Sequence, residues 1–308
     1  MTVPPGSQPG SDGAPPQLPT CVRHPDRATG LRCTRCDRPA CPECLRDASV
    51  GHQCVDCVAQ GQRGVRRPVT VAGARLSDKP VLVPLLIAVN VLVFAITAVQ
   101  AGSIGRNVAA PLFDEFALWP LLVAGGQWWR LLTAGFLHIG LLHLLLNMVA
   151  LWVIGRDLEL LLGRWRFAAV YVLSLLGGST AVFLFGDEVS PVAGASGAVY
   201  GLMGGIAIAA LRLNVTLRPV LAVIAINIVA SVVIPGISLL GHLGGLALGV
   251  LATGALVYVP RNRQALLQAG ALAGLLVVLL VVLVARDAQF GDLVCFGSGT
   301  GARCGVLR

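Results

Sequence analysis

From Val81 onward the chain is a succession of uncharged apolar runs, each about 20 residues long, which is what a helix needs to cross roughly 30 Å of hydrocarbon. Residues 81–101, 137–155, 167–186, 192–211 and 265–285 make five such runs. No formal charge falls between Pro219 and Pro260, a stretch long enough for two more helices with Pro235-Gly236 as the turn between them. The pattern predicts an all-α polytopic membrane domain of seven spans, with a six-helix core over residues 80–260 and a seventh helix over 261–286. Glycines recur every four residues in the fourth span (Gly197, Gly201, Gly205) and in the sixth (Gly241, Gly245, Gly249). Such stripes let two helix backbones approach closely.

The rest of the chain is patterned differently. Residues 1–20, rich in Pro, Gly and Ser, read as a disordered tail; with neither a basic start nor an apolar centre, they do not make an export signal. Residues 21–58 are dense in cysteine, 59–79 read as a linker, and 287–308 form a short tail. Composition agrees with this division. Only 12% of the 308 residues are charged, against about 25% in a soluble domain, and the mean hydropathy is +0.79. A soluble globular enzyme is excluded, and about half of the charge precedes Pro80. The net charge of +8 raises nucleic acid as a partner, yet beyond Pro80 most basic residues stand singly beside apolar runs, as membrane-flanking residues do. The lipid bilayer, and no nucleic acid, is the expected partner.

Arginine placement then orients the chain. Arg156, Arg164, Arg166, Arg212, Arg218, Arg261 and Arg263 fall in loops on the side of the N-terminal region, whereas the opposite inter-span loops hold only Arg106 and Arg130. The positive-inside rule predicts a multi-pass cell-membrane protein with a cytoplasmic N-terminus and an extracytoplasmic C-terminus.

The cysteine-dense segment contains four chelating pairs: Cys21-x2-His24, Cys33-x2-Cys36, Cys41-x2-Cys44 and Cys54-x2-Cys57. Eight ligands suffice for two tetrahedral zinc ions, and so small a domain needs a staple of this kind. A disulfide framework fits poorly with a reducing cytoplasm. The arrangement resembles a B-box-like zinc finger, which implies that Cys21, His24, Cys41 and Cys44 hold one ion and Cys33, Cys36, Cys54 and Cys57 the other; spacing alone leaves sequential pairing open. His52 is a spare candidate, read as a surface residue. With every position filled, the two zinc ions are expected to be structural, with no open site for a substrate, and the domain to recruit a cytosolic protein partner or play a regulatory role. Cys295 and Cys304, beyond the last span, read as an extracytoplasmic disulfide, with free thiols as the alternative.

Ionisable side chains inside spans are costly and mark function. His138, His143 and His242 lie in or at the membrane, and His143 and Asn147 share one face of the second span, one turn apart. Ser196, about one turn into the fourth span, and His242, near the start of the sixth, fall at the same outer depth as His143. A serine beside a histidine predicts nucleophilic catalysis. No carboxylate lies among the spans to complete a triad, since Asp114, Glu115, Asp157, Glu159, Asp187, Glu188 and Asp287 fall in loops or at interfaces. The expectation is a Ser196/His242 dyad, with His143, Asn147 and the Ser196 backbone N–H stabilising an oxyanion. Taken singly, each residue has a structural reading: a serine among glycines as a packing residue, a histidine as a bridge between helices.

Together they resemble the rhomboid family of intramembrane serine proteases over residues 81–259. The resemblance rests on Trp129-Arg130, His138-x4-His143-x3-Asn147, Gly194-Ala195-Ser196-Gly197 and His242-x2-Gly245-x3-Gly249. It implies Ser196 as nucleophile, His242 as general base, and His143 and Asn147 as oxyanion-hole side chains. Tyr200 would fix the ring of the base, Gly155-x3-Glu159 would be a structural motif at the inner end of span two, and Trp129 and Arg130 would hold the first outer loop. Gly194 and Gly197 would let the serine N–H approach substrate. The implied activity is endoproteolysis of transmembrane segments near the outer membrane face. The alternatives are a catalytically silent scaffold that binds client helices and a transporter whose histidines relay protons.

Overall fold

The computed structural model describes residues 17–63, 68–234, 236–291 and 293–306. Most of the expected disordered tail, part of the linker and Pro235 of the expected turn lie outside the described residues. The chain divides into two compact units, 1–67 and 68–308.

The first unit is held by its cysteines. Two antiparallel ribbons, β1 (Thr20–Cys21) with β2 (His24–Ala28) and β3 (Leu45–Asp47) with β4 (His52–Cys54), precede helix α1 (Val55–Arg63). Its buried core is Cys21, Cys33, Cys41, Cys44, Cys54 and Cys57 with Ala40 and Leu45. So thin an apolar core does not stabilise a domain alone.

The second unit is a helical bundle. It runs α2 (Leu82–Gln100), the short α3 (Pro111–Phe116), α4 (Pro120–Ala124) and α5 (Arg130–Thr133), then α6 (Gly140–Ala150), which passes through a π-turn at Leu151–Gly155 into α7 (Arg156–Leu162). Then follow α8 (Arg164–Phe185), α9 (Ser196–Arg212), α10 (Arg218–Val233), α11 (Leu239–Val257) and α12 (Gln264–Asp287), and a hairpin of β5 (Leu293–Phe296) and β6 (Arg303–Val306). Among the described residues six helices are long and apolar enough to cross a membrane; α10, between the fourth and fifth of them, is apolar but has only 16 residues. The protein is a multi-pass, mostly helical membrane protein with a Cys/His-rich N-terminal domain.

Some boundaries differ from the hydropathy pattern, for local reasons. The second span does not stop at Gly155 but continues to Leu162, where Gly163, at φ 79°, reverses the chain into α8. The fourth does not begin at Val192. Residues 191–194 are non-helical, Val192 exchanges backbone hydrogen bonds with Leu118, and Gly194 has φ 138°. Ser196 is therefore the first helical residue of α9 rather than one turn inside it. Residues 68–76 of the expected linker are ordered against the bundle, with Val69 bridging Arg75 and Gln268 bonding the Ala72 carbonyl.

Three helices, α8, α9 and α11, meet through glycine. A methyl added to Gly245 would overlap the Gly197 carbonyl, and one on Gly249 the Gly201 carbonyl. A methyl on Gly178 would lie 2.6 Å from the Gly241 carbonyl. This closeness brings the start of α9 against the start of α11.

Candidate active site

Ser196 Oγ and His242 Nε2 are 2.8 Å apart. Both side chains border a cavity of about 560 Å³ lined from α6, the 191–194 loop, α9, α10 and α11. His143, Asn147, Gly194, Gly197 and Tyr200 line the same cavity, so the structure brings these sequence-predicted residues together.

The hydrogen bonds assign the tautomers. Ser231 Oγ donates to the Asn227 carbonyl at 2.8 Å, so its lone pairs receive the Tyr200 hydroxyl at 3.0 Å and the N–H of His242 Nδ1 at 2.7 Å. With the proton on Nδ1, the Nε2 lone pair faces the Ser196 hydroxyl and accepts from it. Tyr200 lies one turn along α9 from Ser196 and stacks on the imidazole, with centroids 4.0 Å apart and planes 13° from parallel. The ring is thus held by a stacked face and by a hydrogen bond at each nitrogen.

His143 faces the serine from α6. Its Nδ1 accepts the Ile139 N–H at 3.2 Å, which leaves the proton on Nε2. A methyl on Gly194 would sit 3.0 Å from that Nε2 and 3.6 Å from Ser196 Oγ, so the space between imidazole and hydroxyl exists because residue 194 has no side chain. Asn147 donates one amide hydrogen to the His143 carbonyl at 2.9 Å, leaving the second for the cavity. The Ser196 N–H belongs to the first turn of α9, where helix geometry supplies no acceptor. An oxyanion beside Ser196 would meet these three kinds of donor and the positive end of the helix.

The other expected residues lie elsewhere. His138 is buried with its ring 5.2 Å from that of His143 but does not line the cavity, and its carbonyl accepts from Asn107 Nδ2 at 2.6 Å. Arg130 is fully buried and donates to the Asp114 and Ala117 carbonyls, both at 2.8 Å, and to Gln127 Oε1 at 2.7 Å. Trp129, half exposed, donates to the Glu115 carbonyl. Both tie the loop before α6. Glu159 lies at the far end of the bundle, in α7, and its carboxylate accepts the N–H groups of Val81, Leu82 and Val83 at 2.7–2.9 Å, capping α2.

Sequence reasoning missed Ser231 and Asn107. Asn227-x3-Ser231, one turn apart in an otherwise apolar helix, was the available signal for the first. Asn107 sits in a polar loop with nothing to distinguish it; its Oδ1 accepts the Gly140 N–H and fixes the start of α6.

In the N-terminal unit, Cys21, His24, Cys41 and Cys44 form one cluster and Cys33, Cys36, Cys54 and Cys57 another, the ligand atoms of each within 4.8 Å of one another. Cys36 and Cys54 Sγ are 3.8 Å apart, and His24 Nδ1 lies 3.3 Å from Cys41 Sγ, separations compatible with ligands at about 2.1–2.3 Å from one tetrahedral ion. Burial pushes the Cys33 thiol up, but N–H groups, that of Cys54 foremost, outweigh it and bring it down to about 6. In the same cluster the neighbouring Cys36 thiol and then burial push Cys57 up to about 12. Four soft or imidazole donors converging in each cluster make both sets fit a metal ion. His52 stands outside both clusters, 3.3 Å from Asp47 on the surface. At the C-terminus Cys295 and Cys304 are disulfide-bonded across β5 and β6.

Comparison with known proteins agrees with this constellation. Residues 125–260 match the rhomboid domain. The chain is 35% identical over 192 residues to the rhomboid protease GluP of Bacillus subtilis, covering 61% of this chain and 37% of that protein. It is 38% identical over 138 residues to RHOMBOID-like protein 4 of Arabidopsis thaliana, covering 42% of this chain and 34% of the relative. The chain thus spans little more than a third of either. The putative rhomboid protease YdcA of Bacillus subtilis is 33% identical over 143 residues, 45% of this chain and 72% of the relative. With that coverage, and with the matched region enclosing Ser196 and His242, the chain belongs to the rhomboid family.

Proposed function

We infer that the protein is an intramembrane serine endopeptidase whose catalytic pair is Ser196 and His242. The observation that carries this reading is the 2.8 Å contact between Ser196 Oγ and His242 Nε2 at the edge of a mostly apolar cavity. A hydroxyl placed there transfers its proton to Nε2 as Oγ attacks a peptide carbonyl. The carbonyl oxygen takes up negative charge between His143 Nε2–H, the free Asn147 N–H and the Ser196 N–H. Collapse breaks the C–N bond, the proton on Nε2 passes to the leaving amine, and a water activated by the same imidazole hydrolyses the acyl-enzyme. A substrate backbone reaches Oγ only if it is unwound, so a transmembrane segment with small or helix-breaking residues near the cut is the preferred substrate.

The loop arginines and a disulfide at the same end of the bundle as Ser196 support a cytoplasmic N-terminal unit and a cut near the outer face. The two Cys/His clusters are read as structural zinc sites, cross-braced as pairs one with three and two with four. Zinc there would supply folding free energy and no chemistry at the serine. The zinc-bearing unit would then be free to engage a cytosolic protein partner.

The test is incubation of purified wild type and Ser196→Ala with fusions carrying different transmembrane segments, followed by mass mapping of the products. Wild type should cut at one position near the outer end of a susceptible segment and Ser196→Ala should cut none. Binding of segments without cutting by either protein would favour the scaffold.

A further inference from the structure

A second cavity, of about 590 Å³, lies at the other end of the bundle. Gly178 packs beside Gly197 and Gly241, close to the catalytic pair. From there to Arg164 is 14 residues of α8, about 21 Å along a helix. The cavity therefore sits near the membrane face opposite Ser196. Its walls are residues 73–77 with Lys79, the end of α7 and the first turn of α8.

The charges around it are one-sided. Arg75, Lys79 and Arg164 line it from exposed positions, and Arg166 lines it from within. The one acid in the lining, Glu159, has both oxygens taken by the N–H groups that begin α2. Arg166 is 7% exposed. Its Nε donates to Gln268 Oε1 at 2.7 Å and its Nη1 to the Leu162 carbonyl at 3.3 Å, both neutral acceptors. Among the described residues no carboxylate lies within ion-pair distance of it, and Nη2 has no acceptor. A buried guanidinium without a counter-charge is costly, and one beside a cavity is relieved when an anion occupies that cavity. The amino end of the 22-residue α8 opens into the same space and adds its own positive field. Trp165, with the Arg166 guanidinium 4.5 Å over its ring, is half exposed at the rim, at the end of a membrane-length helix, where indoles are favoured between headgroups and acyl chains.

We propose that this cavity binds a phosphate-bearing anion, the headgroup of an anionic phospholipid in the leaflet opposite the catalytic pair. Chemistry alone is shared with free phosphate; the apolar rim of Trp165 and Leu76 favours a phosphate attached to acyl chains.

Trp165 is the reporter. The full chain is placed in phosphatidylcholine nanodiscs containing phosphatidylglycerol, one lipid or the other brominated on its acyl chains. Quenching of Trp165 is taken as the difference between the protein and its Trp165→Phe variant. Brominated phosphatidylglycerol should quench at least about fivefold more per mole than brominated phosphatidylcholine, a preference that falls with added salt and approaches unity in Arg75→Gln/Lys79→Gln/Arg164→Gln. These three side chains are exposed, and an unchanged thermal unfolding midpoint verifies that the variant folds. In a second arm, inorganic phosphate is dialysed against the protein in phosphatidylcholine alone. Equal quenching by the two lipids, a preference insensitive to salt or to the triple substitution, or tight phosphate binding without any lipid preference would each overturn the proposal.

Discussion

In the proposed mechanism Ser231 does for His242 part of what a carboxylate does in a triad. It accepts the Nδ1 proton and so selects the tautomer that can receive the Ser196 hydrogen, but it carries no charge to stabilise the imidazolium. Ser231→Ala should therefore lower kcat by about tenfold with KM little changed, the worth of one orienting hydrogen bond, and Ser231→Thr should restore most of it. An equal fall in both variants, tracking a fall in folded fraction, would mean that Ser231 only packs. Gly194 makes a sharper case. A methyl there meets both a positive φ and the His143 ring, so Gly194→Ala should cost at least about 100-fold in turnover by filling the oxyanion space. Steady-state cleavage of a reporter segment measures both. The sequence made Ser196, His242, His143 and Asn147 legible because polar residues within apolar runs are few and their depths can be counted from the span ends. Ser231 was not legible, since its partner is set by how α10 leans on α9 and α11, which periodicity does not encode.

At the level of elements, the distance between Ser196 and His242 is set by glycine. The stripes on α9 and α11 were visible as four-residue repeats, and the structure adds that they face one another and the glycines of α8, carbonyl against Cα. Gly245→Val should force α11 from α9 and abolish cleavage while lowering the unfolding midpoint in detergent, an overpacking cost of about 1–3 kcal/mol or more. Gly254→Ala is the matched control. Among the described residues no atom beyond its own stretch of helix lies within 4 Å of its added methyl, and stability should stay within about 0.5 kcal/mol of wild type. Other features escaped the hydropathy pattern because they depend on single residues. The π-turn in the second span and the non-helical 191–194 segment lie inside apolar runs, and apolar composition alone does not say where a helix begins. Glu159 is a further instance. It reads as an interfacial acid, and its role as the cap of α2 follows from a contact 76 residues or more distant along the chain.

For the whole molecule, the two units obey different physics. The bundle presents apolar helices to lipid and packs through glycine, whereas the N-terminal unit, with two Cys/His donor sets and a thin apolar core, is proposed to fold on two metal ions. Elemental analysis should find two zinc ions per chain and one after Cys33→Ser, and chelation should unfold the N-terminal unit while cleavage of a reporter segment by the bundle persists. Loss of cleavage on chelation would tie the metal to activity. The C-terminal hairpin, which reads as a mere tail, clamps the loop before α6. Gln127 bonds both Arg130 and the Gly297 carbonyl, and Cys295 lies against Gly125. That arrangement could not be read from spacing, because 170 residues separate Gln127 from Gly297. The central claim, that Ser196 is a nucleophile activated by His242, is tested most directly by covalent capture. The purified protein is treated with a fluorophosphonate and digested, and the adduct is located by mass spectrometry. The account predicts a single modified serine, Ser196, with labelling abolished in Ser196→Ala and strongly slowed in His242→Ala. Absence of an adduct on folded wild type, or equal labelling of Ser196→Ala, would contradict it.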